Sequence, residues 1–236
     1  MTTIRALLRA LLFAALLPCA SALTAEDIRE IELQVIPAAQ LPVAGGATHE
    51  LRLTAYLFSG GKWTAAEITP ALMQSAALLG QCGITLAHAE LRVIEAPRRF
   101  RFYATEVSRE LLRRLQVTKP ALFFVDDTLN RPAFDAEAIG RGNAARRPEL
   151  NDTVWIAHGA RDLPLAIAHE LVHVFSDSGE HSTEAGNLMQ DETSPANTRL
   201  TLAQCERMRA RGEANGLLKP VRGVNSRFFA HHWKPA

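Results

Sequence analysis

Residues 168–190 read AHELVHVFSDSGEHSTEAGNLMQ, and three of the first six have side chains that do chemistry. His169 and His173 are four residues apart. On a helix that spacing puts both imidazoles on one face, a turn apart. Two imidazoles so placed suit a divalent cation such as zinc, with each nitrogen about 2.0–2.1 Å from the ion. Glu170 stands about 100° round the helix from His169. It is therefore expected beside the metal and not bound to it, where its carboxylate takes a proton from attacking water.

A catalytic zinc site needs a third protein ligand. His181, beyond the end of the helix, is the expected one. The SDSG stretch before it is strong turn material. Gly179 accepts backbone conformations closed to other residues and is expected to reverse the chain there. Asp177, Glu180 and Glu184 are carboxylate alternatives for the same position. The helix itself has Leu163, Leu165, Ile167, Leu171, Val172, Val174 and Phe175 on nearly all sides, so it is expected to be buried. Buried histidines need partners. A metal supplies them; the competing reading is a pair of core histidines satisfied without one.

The run HELVHVFSDSGEHSTEAGNLM resembles the metzincin clan of zinc endopeptidases. The clan's pattern is H-E-x-x-H-x-x-G-x-x-H, followed by a turn containing a methionine. The resemblance implies that His169, His173 and His181 hold one catalytic Zn2+. It implies Glu170 as general base and Met189, in GNLMQ, as the methionine of the turn. The chain departs from the pattern in two places. Ser176 stands where the glycine is expected, and His181 comes two residues late. Both read as a two-residue insertion, with Gly179 taking over the turn. No tyrosine follows Met189. More loosely, LLGQCGITL and RLTLAQCERMR resemble a helix-to-strand junction and a closing helix of such domains.

The fold this implies is α+β, metzincin-like. An N-terminal twisted mixed sheet with helices, including the HExxH helix, would occupy about 23–175. A smaller, mostly irregular C-terminal lobe ending in a helix would occupy about 176–236. The activity implied is endopeptidase cleavage of peptide or protein substrates. The alternative from another class is an exported zinc-binding protein of the same fold with a structural or binding role and no peptidase activity.

Composition bounds these readings. The chain has 236 residues, 47% hydrophobic and 22% charged, with a formal net charge of +1. That balance gives no footprint for nucleic acid. Residues 1–22 carry Arg5 and Arg9, an apolar run over 10–17, and then Ala20-Ser21-Ala22, the pattern of a cleaved signal peptide. The apolar run is too short to span a bilayer. Secretion or export to the periplasm is expected, with no stable membrane insertion after cleavage and 23–236 left as one domain. A lipid anchor at Cys19 is a weaker alternative, since Pro18 precedes it. Cys82 and Cys205 then remain, and in an oxidising compartment they are expected to pair. The sequence gives no oligomeric state.

The elements that must position the motif are legible as patterns. Strands are expected over 28–37, 50–58 (half-buried, by its alternation of Leu51, Leu53, Ala55 and Leu57), 84–97, 121–127 and 153–157. Helices are expected over 69–83, capped by Thr69 with Pro70 first, and over 104–117 with Val107, Leu111, Leu112 and Leu115 inward. The motif helix is expected from Asp162 as cap through Phe175, and a last helix from Thr201 to Gly212. The polar stretch 128–152 is expected as a long loop, with EAIGRG at 137–142 as an edge for substrate. His49-Glu50-Leu51 copies the start of the motif but sits in a strand pattern with Leu53 in place of a second histidine. His88 is expected at the surface, and His231 and His232 in a packed or frayed terminus.

Overall fold

A computed structural model describes residues 27–128, 138–141 and 148–221. The signal-peptide pattern, Glu137 and Gly142 of the expected edge, and His231 and His232 lie outside the described residues. The elements in chain order are β1 (Arg29–Val35), β2 (His49–Phe58), α1 (Ala65–Leu79), β3 (Ile84–Glu95), β4 (Phe102–Tyr103), α2 (Thr105–Leu115), β5 (Ala121–Val125), β6 (Asp127–Thr128), β7 (Ala138–Arg141), β8 (Thr153–Ala157), α3 (Leu163–Ser176), α4 (Leu202–Ala214) and β9 (Leu218–Pro220).

The main sheet runs β1-β3-β2-β5-β8-β7, with β9 added to the start of β2. The inner strands β3, β2, β5 and β8 are parallel. The outer strands β1 and β7 are antiparallel to their neighbours. Parallel neighbours need crossover connections, and α1 and α2 supply those from β2 to β3 and from β3 to β5. The chain moves outward from β2 to β3 through α1, then back past β2 to β5 through α2. Crossovers of one hand that reverse direction place their helices on opposite faces of the sheet.

Two cores follow from this layering. On one face Leu51, Leu53, Ala55 and Leu57 of β2 meet α1, α3 and α4. On the other, Tyr56 and Phe58 of the same strand join Phe123, Trp155, Leu111 and Leu112 under α2. Strand β2 is thus buried on both faces over its second half, where half-burial was expected. The AYLF run carries apolar residues at both parities, and α2 covers the side that alternation alone assigned to water. Helix α2 itself follows expectation, with its arginines paired outward: Arg109 and Arg113 to Glu149, and Arg114 to Glu110.

Three expected boundaries differ. The cap of helix α1 lies five residues before Thr69. Thr64 caps it, accepting from the Glu67 amide, while the Glu67 carboxylate accepts from the Thr64 amide. This reciprocal capping box satisfies two donors that Pro70 at the first position does not, and Pro70 is carried inside the helix. Asp162 precedes α3 but makes no side-chain cap; it adopts a left-handed conformation (φ 50°), and its carbonyl accepts from Leu165 and Ala166. The described C-terminal region does not end in a helix. Beyond α4 the chain turns at Gly216 (φ 73°) and Leu217 and Leu218 return to the core as β9, because that apolar pair is buried against the sheet.

Cys82, just after α1, and Cys205, on α4, form a disulfide across 123 residues. Among the described residues no helix is long and apolar enough to cross a membrane.

Candidate metal centre

Helix α3 packs against α1, α4, β7 and β8. Its residues 166–169, 171, 172 and 174–176 are buried. An apolar helix so enclosed cannot roll, so the direction of His169 and His173 is fixed by the packing of the residues between them. Glu170 is half-buried on the same turn.

The helix ends by a left-handed residue at Asp177 (φ 50°), whose amide bonds the carbonyls of His173 and Val174. The Ser178 amide also reaches the His173 carbonyl, at 3.2 Å. The reversal therefore falls at Asp177 and not at the expected Gly179, which has an ordinary φ and open space around it. Ser176 remains helical, and its hydroxyl donates to the Val172 carbonyl at 2.6 Å inside the protein. The helix runs through the position where the resemblance places glycine, and aspartate tolerates the left-handed turn that follows.

The chain then brings His181 back over the helix. His173 Nε2 lies 3.0 Å from His169 Nε2 and 3.2 Å from His181 Nε2. The three ligand atoms lie within 4.8 Å of one another. Each ring is held by its other nitrogen. His169 Nδ1 faces the Leu188 carbonyl at 2.8 Å, His173 Nδ1 the Ser178 carbonyl at 2.7 Å, and His181 Nδ1 a carboxylate oxygen of Asp191 at 2.8 Å. Carbonyls and carboxylates only accept, so every Nδ1 carries the proton. In the neutral ring Nε2 then presents a lone pair, and the three Nε2 atoms converge. Two bare nitrogens at 3.0 Å repel unless a cation lies between them. Tetrahedral ligands about 2.0–2.1 Å from zinc are about 3.3–3.4 Å apart, close to the spacing here. The donor set fits a divalent metal.

Electrostatics agree. Burial lowers the pKa of His169, against the Leu188 hydrogen bond, which raises it. Burial first, then the neighbouring His169, pushes His173 down from 6.5 to about 4. Neutral imidazole is the form that ligates.

The methionine expected in the turn, Met189, is buried, 2% exposed, in the same core as α3. Its carbonyl accepts from the Ser182 amide at 2.6 Å, next to His181. Its amide donates to Asn187 Oδ1, and Asn187 and Gln204 exchange two amide hydrogen bonds that tie the turn to α4. The carboxylate alternatives lie elsewhere: Glu180 pairs with Arg207 at 2.6 Å, and Asp177 terminates the helix. His88 is partly exposed beside Glu90, and the decoy His49 pairs with Glu213.

Sequence reasoning missed the outer partners, namely Leu188 O, Ser178 O, Asp191, Asn187 and Gln204. Two of these are backbone carbonyls, which leave no residue signal. Asp191, Asn187 and Gln204 lie among other polar residues with no fixed spacing to the histidines.

The chain has a mixed sheet with helices on both faces, a three-histidine candidate metal centre formed by α3 and the loop after it, and a fold similar to that of a metalloproteinase. The particular likeness is to metalloproteinase-II from Bacteroides fragilis, with a TM-score of 0.50 and 18% identity. The match covers 72% of this chain and 55% of that one, so this chain spans about half the length of its neighbour. At that identity the likeness is one of fold. No protein-family profile and no curated protein matches the sequence.

Proposed function

We propose that this chain is an exported zinc metalloendopeptidase of metzincin type. Residues 1–22 are its signal peptide and 23–236 one metallopeptidase-like domain. The observation that carries the reading is the convergence of His169, His173 and His181 through Nε2, with Glu170 on the same helix turn as two of them. Catalytic zinc sites use three protein ligands, and the ion supplies Lewis acidity that activates water near neutral pH and polarises a carbonyl.

The chain's own groups do the rest. Glu170 takes the proton of the attacking water and delivers it to the leaving amine. Met189 forms the floor of the site and ligates nothing. The substrate is a peptide or protein lying as an added strand along β7, whose outer edge has no partner strand among the described residues. The proposal keeps the edge expected near 137–142, within which Ala138–Arg141 forms a strand. The disulfide suits an oxidising compartment.

Glu170→Gln tests the reading. The variant should retain one zinc per chain by elemental analysis and lose peptide hydrolysis by at least about 100-fold. Retained turnover sinks the mechanism. Zinc without turnover in the wild-type protein favours a binding or structural role, and absence of stoichiometric zinc leaves His169 and His173 as core histidines satisfied without a metal.

A further inference from the structure

We propose that Asp191 is the positioning residue for the third ligand, holding His181 in the Nδ1–H tautomer with Nε2 turned toward His173. The inference rests on the metallopeptidase reading above. His169 and His173 stand on a packed helix, and their outer partners are backbone carbonyls. His181 stands on a loop, with 40% of its side chain exposed, and burial does not fix its ring. Its nearest backbone tie is Ser182, whose amide donates to the Met189 carbonyl. What orients the imidazole is the carboxylate of Asp191, 2.8 Å from Nδ1 and itself 85% exposed.

The place of Asp191 in the chain matters. It follows the turn whose Leu188 carbonyl holds His169, so one short segment presents acceptors to the first and third ligands together. The lengthened loop that delivers His181 gives that histidine more freedom than a helical ligand has. An outer acceptor that selects one tautomer and one ring orientation removes it before the metal arrives. Without Asp191 the ring samples both tautomers and flipped orientations, and only a fraction of the population presents Nε2 inward.

The test is zinc affinity of the full chain by competition with a chelator, paired with 15N NMR of the histidine rings in metal-free protein. Asp191→Ala should weaken zinc binding by about 10–100-fold and turn His181 from the Nδ1–H form into a tautomer mixture. Asp191→Asn keeps an acceptor oxygen in place and should retain most of the affinity. The urea midpoint with chelator present should be the same in all three proteins, since the side chain is exposed. Equal affinity in wild type and Asp191→Ala, or an unchanged tautomer ratio, overturns this inference alone. A wild-type protein that binds no metal overturns the metallopeptidase reading and this inference together.

Discussion

At the scale of residues, the site depends on three imidazoles aimed at one point, two of which burial keeps neutral. His173 shows the cost most clearly. Its pKa is about 4 in the metal-free fold against 6.5 as a free side chain, chiefly through burial. Between those values the unfolded chain binds a proton that the folded chain refuses. Stability therefore falls as pH drops from about 6.5 to about 4, and this residue contributes no slope outside that window. The full effect is about 3 kcal/mol. His169 acts in the same direction, since its pKa is also lowered. Urea unfolding in chelator across that range should show the loss, and His173→Gln should flatten much of it. An unchanged slope in the variant would show that other groups govern acid sensitivity. The residue types and the four-residue spacing of His169 and His173 were legible because helix geometry alone turns that spacing into proximity. The neutral state was not, because it comes from burial by α1, α4 and the sheet.

At the scale of elements, the end of α3 decides where His181 goes. Asp177 carries the left-handed turn, and Ser178 immediately after it supplies the carbonyl that holds His173. A β-branched side chain at such a φ costs about 1–2 kcal/mol. Asp177→Val should lower the unfolding free energy by that amount relative to Asp177→Gly. Equal unfolding free energies in the two variants would show that the left-handed backbone carries no such cost. Element identity was well legible here: α2, β3, β5, β8 and α4 fall close to their patterns. Helix starts were less so. Thr69 was the expected cap of α1, whereas the capping box of Thr64 with Glu67 sets the start at Thr64. Gly179 was expected to carry the turn, yet Ser176 is still helical and the turn falls on the next residue, Asp177.

At the scale of the whole molecule, the site is assembled from parts far apart in the chain. Two of the clustered histidines come from α3, the third from the loop after it, and the turn that braces them is tied by Asn187 to Gln204 on α4. The neighbouring Cys205 fastens α4 to Cys82 beside α1. A cross-link closing 123 residues restricts the unfolded chain strongly. Replacing both cysteines with alanine should cost about 2–5 kcal/mol, measured by urea unfolding against the oxidised wild type. A loss matched by no change on simple reduction of the wild type would point to packing around the sulfurs instead.

The sequence by itself determined the local chemistry. His169, Glu170 and His173 are placed by the pitch of one helix, and periodicity marks most strands and helices around it. Tertiary structure decided the rest: the return of His181, the oxygens of Leu188, Ser178 and Asp191 that set its and its partners' tautomers, the second buried face of β2, and the return of β9 to the sheet. A repeat of 3.6 or 2 residues is written into any short stretch. Where a loop closes is not, because it depends on which surfaces the packed elements leave for it to meet.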